Sequence, residues 1–299
     1  MFHKLISNVM RKLLFISLAI VLVLSSCSKN EEGLVLSREM IFSVCYPTTK
    51  ATETDFEIND VFGVYIAEYD DDKPSSLQIG GNYVNNVPVK YNGSLWVASP
   101  TIYWGDGKYD VYAYYPYGQP CSIDEMTFDV ATDQRKEADI EGTSQYEASD
   151  FLWSSAKMVT SSEPTVKLLF KHKMSKVTVN LIKGGNFEGD IPNDAAVIIH
   201  NTVASALIDL STGDVVKDPH VAARSIFARQ IETGKYSAVV VPQTLTNKMP
   251  LVEVVCNNVS YLFESKFQFK SGMNHTINFI LDDNPEKVKI EIGGEIINW

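Results

Sequence analysis

Short apolar segments with alternating side chains run through most of this 299-residue chain, and they limit which folds it can adopt. A period of two residues places successive side chains on opposite faces of a β-strand. Clusters of Gly, Pro, Asn and Asp separate the segments, and Asn92-Gly93 is a strong hairpin signal. The pattern predicts an all-β fold of antiparallel β-sandwiches rather than a parallel α/β sheet. The clearest predicted strands are residues 61–65, 109–115, 166–170, 177–181, 237–241, 251–255, 276–281 and 288–292.

The N-terminus has the order of a bacterial export signal: basic residues, an apolar run at residues 13–24, and small residues before Cys27. The run is shorter than the roughly twenty residues that a transmembrane helix needs. Leu24-Ser25-Ser26-Cys27 matches the lipobox of bacterial lipoproteins. We predict that residues 1–26 are a cleaved signal peptide and that acyl chains on Cys27, such as palmitate, hold the protein at the outer membrane. An ordinary secretory signal with a chance cysteine is the alternative.

Residues 27–38, which follow the signal peptide, are predicted to form a lipidated tether.

The charge and the cysteine content limit the classes of partner that the chain can bind. The formal net charge is −11, and loss of the signal peptide removes three further positive charges. A nucleic-acid partner requires a basic surface, so none is expected. Three cysteines remain after Cys27, so they cannot all pair within one chain, and their disulfide state stays open. They are Cys45, Cys121 and Cys256.

The chain carries no recognisable catalytic motif. It has no G-x-S-x-G elbow, no phosphate-binding glycine loop and no paired-cysteine metal site. The four histidines after the signal lack the spacing of a helical metal motif, and a lone histidine in a strand is more often structural than catalytic. We predict no enzyme, no cofactor and no metal. A hydrolase with dispersed carboxylates is left open, because such carboxylates leave no local signature.

Aromatic residues concentrate between Tyr91 and Tyr117. In the predicted strand at residues 109–115, aromatics occur on both faces, which favours a strand packed on both sides. The functional alternative is a binding surface that stacks on sugar rings or on a protein partner. Its candidate residues are Trp96, Trp104, Tyr112 and Tyr114.

Six short segments, in their order along the chain, carry a family resemblance. They are Asp60-Val61-Phe62-Gly63-Val64-Tyr65, the stretch from Tyr103-Trp104 to Tyr115-Pro116-Tyr117, Asp150-Phe151-Leu152-Trp153, the stretch from Leu168 to Val177 with Phe170-Lys171-His172, Val241-Pro242-Gln243, and Ser271-Gly272-Met273-Asn274-His275. Each is weak alone, but their order is specific. Together they resemble the fimbrillin family, the lipoprotein-derived subunits of type V pili. One departure is His275, where an aromatic residue is usual.

This resemblance implies two transthyretin-like antiparallel β-sandwich domains in tandem. We place the first at residues 39–164 and the second at residues 165–299. The resemblance also implies no catalytic activity, and it implies an assembly route. The subunit travels as a lipoprotein, a trypsin-like protease removes its first strand, and a strand from another pilus subunit fills the groove that is left.

The residues can be matched to that route. The first strand is predicted at residues 39–46, with Ile41 and Phe42 at its centre. Arg38 precedes the strand and Lys50 follows it. Only a cut after the strand would release it, so Lys50 is the better candidate cleavage site. The alternative is that both residues are ordinary surface residues and the strand is permanent.

The C-terminal residues 287–299 are the candidate donor segment. Alternation places three aliphatic side chains on one face, and added strands gain specificity from such alternating side chains. Gly293-Gly294 allows a bend before a second short strand. The candidate donor residues are Val288, Ile290, Ile292, Ile296 and Trp299. The alternative is that these strands complete the chain's own sandwich.

The sequence therefore predicts a structural or adhesive subunit of a cell-surface pilus. Its expected partners are other pilus subunits, a processing protease and the membrane. The alternative is a monomeric surface lipoprotein that binds glycans or host proteins through the aromatic region.

Overall fold

The computed structural model describes residues 38–45, 56–136 and 143–297, which form β-strands, turns and two short 3-10 helices, Glu147–Ser149 and Pro285–Lys287. Residues 1–37, Lys50 and Trp299 lie outside the described residues. The strands are β1 (Ile41–Cys45), β2 (Val61–Asp70), β3 (Lys73–Pro74), β4 (Val84–Tyr91), β5 (Trp96–Ala98), β6 (Tyr109–Tyr115), β7 (Met126–Asp129), β8 (Leu152–Val159), β9 (Thr165–Leu169), β10 (Lys171–His172), β11 (Ser175–Lys183), β12 (Ala196–Thr202), β13 (Ser205–Asp209), β14 (Asp214–Lys217), β15 (Arg224–Phe227), β16 (Arg229–Glu232), β17 (Lys235–Val240), β18 (Gln243–Cys256), β19 (Val259–Phe269), β20 (Met273–Leu281) and β21 (Lys289–Ile297).

The all-β prediction is confirmed, and all eight predicted strands overlap strands of the structure. The assignment succeeds because the alternation of apolar and polar side chains is a local property of a strand with one buried face. In β6 six consecutive residues are buried. That strand is packed on both faces, as its aromatics on alternate sides predict.

Nine strands of the N-terminal half form one sheet, in the order β10-β8-β6-β2-β4-β5-β1-β9, with β3 paired to β2. Its pairs are antiparallel except for β1 and β9, which run parallel. One hydrophobic cluster packs against this sheet, and Phe62, Val111 and Phe170 are fully buried in it.

The C-terminal half contributes three smaller sheets. A five-stranded sheet has the order β16-β17-β11-β20-β21, and a four-stranded sheet has the order β15-β12-β18-β19. In the third sheet, β14-β13-β7, the strand β7 from the N-terminal half pairs with β13. Within the five-stranded sheet, β11 and β20 run parallel. These two parallel pairs differ from the predicted antiparallel sandwiches. Parallel pairing needs a long connection between the two strands, and both pairs join strands that are distant along the chain.

Every described strand up to β10 except β7 belongs to the nine-stranded sheet, and the described strands after β10 belong to the three smaller sheets. β9, which we expected to open the second sandwich, pairs along its whole length with β1 in the N-terminal sheet. The described residues after Arg38 belong to one compact unit. A second hydrophobic cluster includes side chains from both halves, such as Tyr114 and Phe151 with Val177 and Phe279. The tandem transthyretin-like organisation stays a prediction.

Candidate functional site at the first strand

β1 is a short strand that lies inside the nine-stranded sheet, between β5 and β9. It pairs parallel with β9 over all five of its residues, and it pairs antiparallel with β5 at Phe42, which lies opposite Trp96. The backbone N–H groups of Met40 and Ile41 donate to the carbonyl oxygens of Ile102 (2.9 Å) and Pro164 (3.1 Å). In the sheet, β5 and β9 are joined only through β1. Removal of β1 would therefore leave a groove with two unpaired strand edges, which can accept another strand.

The side chains of the first strand alternate between the core and the surface. Met40 and Phe42 are only 2% and 4% exposed, and Val44 is half-buried against the same cluster. Ile41 is 45% exposed, and Cys45 is exposed. Of the two residues predicted at the centre of the strand, Phe42 faces the core and Ile41 faces outward, and Met40 is the second deeply buried side chain. The alternation of Met40, Phe42 and Val44 was the signal that could have located the buried face.

Aromatic rings form the floor of this groove. The Phe42 ring meets the Phe62 ring edge-on, with a centroid distance of 5.9 Å and an interplanar angle of 82°. Phe62 in turn contacts Trp96 at 4.9 Å and Phe170 at 5.4 Å between centroids. Edge-on contacts are a favourable geometry for aromatic pairs, so Phe42 is held by shape as well as by burial.

The four predicted aromatic binding residues are mostly internal. Trp104, Tyr112 and Tyr114 are buried, and Trp96 is half-buried among other rings. The Trp104 indole N–H donates to the Pro164 carbonyl oxygen (3.1 Å), the same oxygen that accepts from the first strand. These rings therefore pack the core and the groove, the packing role that two-sided burial favoured. In this conformation three of them present no face to a sugar ring.

The candidate donor segment lies at the edge of the five-stranded sheet as β21. It pairs antiparallel with β20, and Ile290 lies opposite Phe279. Val288 and Ile290 are half-buried against the core, while Ile292 is 60% exposed. The segment forms one strand, Lys289–Ile297, rather than two, with a bulge at Gly293 where a bend was expected. On its outer side β21 has no partner among the described strands.

Three histidine side chains form hydrogen bonds within the fold, and one of them, His275, accepts from the Lys270 backbone N–H through Nε2 (3.0 Å). His172 Nδ1 lies 2.7 Å from an Asp150 carboxylate oxygen. His200 lies 2.8 Å from Glu253 through Nε2, and the Ser260 hydroxyl donates to Glu253 at 2.6 Å. The Ser260 hydroxyl, together with His200, holds the pKa of Glu253 below its usual value of 4.5 against the opposing effect of burial. The contact of His200 with Glu253 joins the neighbouring strands β12 and β18, and the contact of Ser260 with Glu253 joins β18 and β19. The described residues contain no group of three or more side chains placed to hold a metal ion.

Of the residues predicted to take part in cleavage and lipid attachment, only Arg38 lies among the described residues. Arg38 is exposed, just before the first strand. Cys27 and Lys50 lie outside the described residues. Cys45, Cys121 and Cys256 form no disulfide with one another, and burial raises the pKa of the Cys256 thiol. No helix in the described part of the chain is long and apolar enough to cross a bilayer.

The sequence model of a family described as fimbrillin-like matches residues 49–299. The chain belongs to the fimbrillin-like family. No functionally curated protein matches it by sequence. The family match begins after the end of β1, so the first strand lies outside the part that this chain shares with the family model.

Solved structures share the fold of this fimbrillin-like chain at low sequence identity. A candidate cell adhesion protein from Bacteroides ovatus has a TM-score of 0.68 at 18% identity, over 87% of this chain and 96% of that chain. A candidate cell adhesion protein from Bacteroides uniformis has a TM-score of 0.64 at 19% identity, over 82% and 93%. A fimbrial protein from Bacteroides vulgatus has a TM-score of 0.54 at 13% identity, over 87% and 99%.

Proposed function

We propose that this chain is a structural or adhesive subunit of a cell-surface pilus, exported as an outer-membrane lipoprotein and assembled by strand exchange. The observation that carries the proposal is the position of β1, a five-residue strand inside a sheet and hydrogen-bonded on both sides. Membership of the fimbrillin-like family and the fold shared with fimbrial and candidate adhesion proteins support it. The proposal includes no catalytic step.

The energetics of β1 explain how exchange would proceed. Burial of a large apolar side chain contributes about 1.5–3 kcal/mol, and Met40 and Phe42 are both buried. The first strand is therefore held firmly while it remains covalently attached. After a trypsin-like protease cuts at Lys50, the first strand is no longer covalently attached to the subunit. Its loss becomes irreversible once the strand has diffused away. The empty groove then exposes apolar surface and two strand edges, which an incoming strand covers.

The edge position of β21 suits it to the complementary role. A donor must leave its own sheet without disrupting that sheet's interior, and an edge strand has hydrogen bonds on one side only. Val288 and Ile290 are only half-buried, so less burial is lost when the segment detaches than for a core strand.

The deciding experiment combines protease treatment with three variants of the full chain. We expect the wild-type protein to form polymers after trypsin-like cleavage, detected by size-exclusion chromatography with light scattering. Lys50→Gln should stay monomeric because its first strand is retained. Deletion of residues 287–299 should also stay monomeric, because it removes the donor. Arg38→Gln is the matched control and should polymerise like the wild type.

Two results would overturn the assembly route. Polymers formed by the deletion variant would remove the donor role of the C-terminal segment. Polymers formed by Lys50→Gln but not by Arg38→Gln would place the cut before the first strand. N-terminal sequencing of the surface form separates the states in cells, because an acylated Cys27 marks the precursor and an N-terminus at Ala51 marks the processed subunit.

A further inference from the structure

The groove that holds β1 has a specific shape, because its present occupant has large side chains at alternate positions. Met40 and Phe42 enter it fully and Val44 enters it partly. The position of Phe42 places the strictest requirement on the shape of the side chain that occupies it. Its ring meets the edge of Phe62, which is itself fully buried against Phe170. A strand that replaces β1 must fill this space.

An aliphatic side chain fills it poorly. A smaller group at the position of Phe42 loses the edge-on ring contact and leaves a void above Phe62, since the floor of the groove is built from rigid rings. Close-packed interiors tolerate such voids badly. An aromatic residue at that position, with apolar residues two places before and after it, restores the contacts.

The regularly alternating part of the chain's own donor segment, residues 288–292, does not offer this pattern, and the aromatic candidate Trp299 comes after the bulge at Gly293. The alternating side chains at Val288, Ile290 and Ile292 are all aliphatic, and all are β-branched. The bulge at Gly293 shifts the alternation immediately afterwards. Central placement of Ile290 in the groove would set a branched aliphatic group where Phe42 now lies.

We infer that the groove of this chain prefers the donor strand of a different subunit to its own, namely a strand that carries an aromatic side chain at the position of Phe42 and apolar residues at the positions of Met40 and Val44. This inference rests on the proposed strand exchange and goes beyond it in naming the partner. It predicts that, in a mixture, the protein joins that subunit in preference to a polymer made through its own residues 287–299. In the pure protein its own segment is the available donor, as the polymerisation experiment above assumes.

The test uses the full chain with a site-specific protease sequence inserted after Lys50, so that cleavage leaves β1 seated but no longer covalently attached. A fluorescent peptide of residues 38–45 exchanges into the groove, and unlabelled peptides compete with it. The competitors are the same peptide, its Phe42→Ile form, its Ile41→Thr form and a peptide of residues 287–299. Fluorescence anisotropy measures the competition.

The expected ranking follows from burial. The Phe42→Ile peptide and the 287–299 peptide should bind at least tenfold more weakly than the wild-type strand peptide, which corresponds to about 1.4 kcal/mol. The Ile41→Thr peptide changes an exposed side chain and should stay within twofold of the wild type.

Three outcomes distinguish the aromatic requirement, the identity of the partner subunit and the proposed strand exchange from one another. Equal binding of the wild-type strand peptide and its Phe42→Ile form would overturn the aromatic requirement and leave strand exchange intact. Binding of the 287–299 peptide as tightly as the wild-type strand peptide would overturn the inference of a different subunit. If the wild-type strand peptide never exchanges, the proposed function fails, and the inference fails with it.

Discussion

Buried side-chain amides fix backbone groups at two places in the core. Gln243, from the Val-Pro-Gln motif, accepts from the Val203 N–H (2.9 Å) and donates to the Val203 carbonyl oxygen (3.0 Å). Gln134 makes the same pair of contacts with Val239, at 2.8 Å and 2.7 Å. An unsatisfied buried amide or peptide group costs about 1–3 kcal/mol. The glutamine of the Val-Pro-Gln motif therefore has a structural role, because its side chain satisfies two backbone groups inside the fold.

Gly63 is the clearest single-residue test of the packing. A Cβ atom there would lie 2.5 Å from the Tyr114 ring and 2.8 Å from the Asn86 side-chain oxygen. Those two side chains are joined by a 2.7 Å hydrogen bond, so neither can retreat easily. We expect Gly63→Ala to lower the free energy of unfolding by about 1–3 kcal/mol, the usual cost of overpacking. Urea denaturation followed by tyrosine fluorescence measures it.

The matched control is Gly80→Ala. A Cβ at Gly80 meets no atom within 4 Å, so this variant should differ from the wild type by less than about 0.5 kcal/mol. Equal effects at the two glycines would show that the contact between Gly63 and Tyr114 is not tight.

At the scale of an element, the first strand depends on the alternation of its side chains. Met40 and Ile41 are adjacent, yet one faces the core and the other is almost half exposed. We expect Met40→Ala to lower the free energy of unfolding by about 2–5 kcal/mol, as for other large-to-small core changes. Ile41→Ala should cost less than about 0.5 kcal/mol, because it lies away from the core. Chemical denaturation of both variants measures the difference.

The contrast between the two variants is the informative result. If Ile41→Ala were the more damaging change, the strand would sit in the sheet with its faces reversed, since a slip of one residue exchanges inward and outward side chains. The groove described above would then be lined by different positions.

At the scale of the whole molecule, the two halves share a core and a sheet. β7 pairs with β13, and the Trp153 indole N–H donates to the Leu210 carbonyl oxygen (2.8 Å). Tyr114 and Phe151 lie in the same hydrophobic cluster as Phe279. Contacts of this kind couple the stability of one half to that of the other.

We therefore expect a chain of residues 39–299 to unfold in one cooperative thermal transition. The calorimetric enthalpy should equal the van't Hoff enthalpy, which is the standard test of two-state behaviour. Differential scanning calorimetry measures both. Two resolved transitions would instead indicate that the predicted sandwiches, 39–164 and 165–299, fold independently.

Local sequence determined the strand content of this protein, because alternation is a property of neighbouring residues. The inward positions Met40, Phe42 and Val44 also follow such an alternation, although we assigned no buried face to this strand from the sequence. Which strands become neighbours was decided only in the tertiary structure. The parallel pairing of β1 with β9 joins Ile41 to Thr165, and no local pattern encodes a contact across that separation. The burial of Trp104, Tyr112 and Tyr114 also depends on the tertiary structure. An aromatic side chain can face solvent or pack against a second layer, and the sequence does not say which elements cover it.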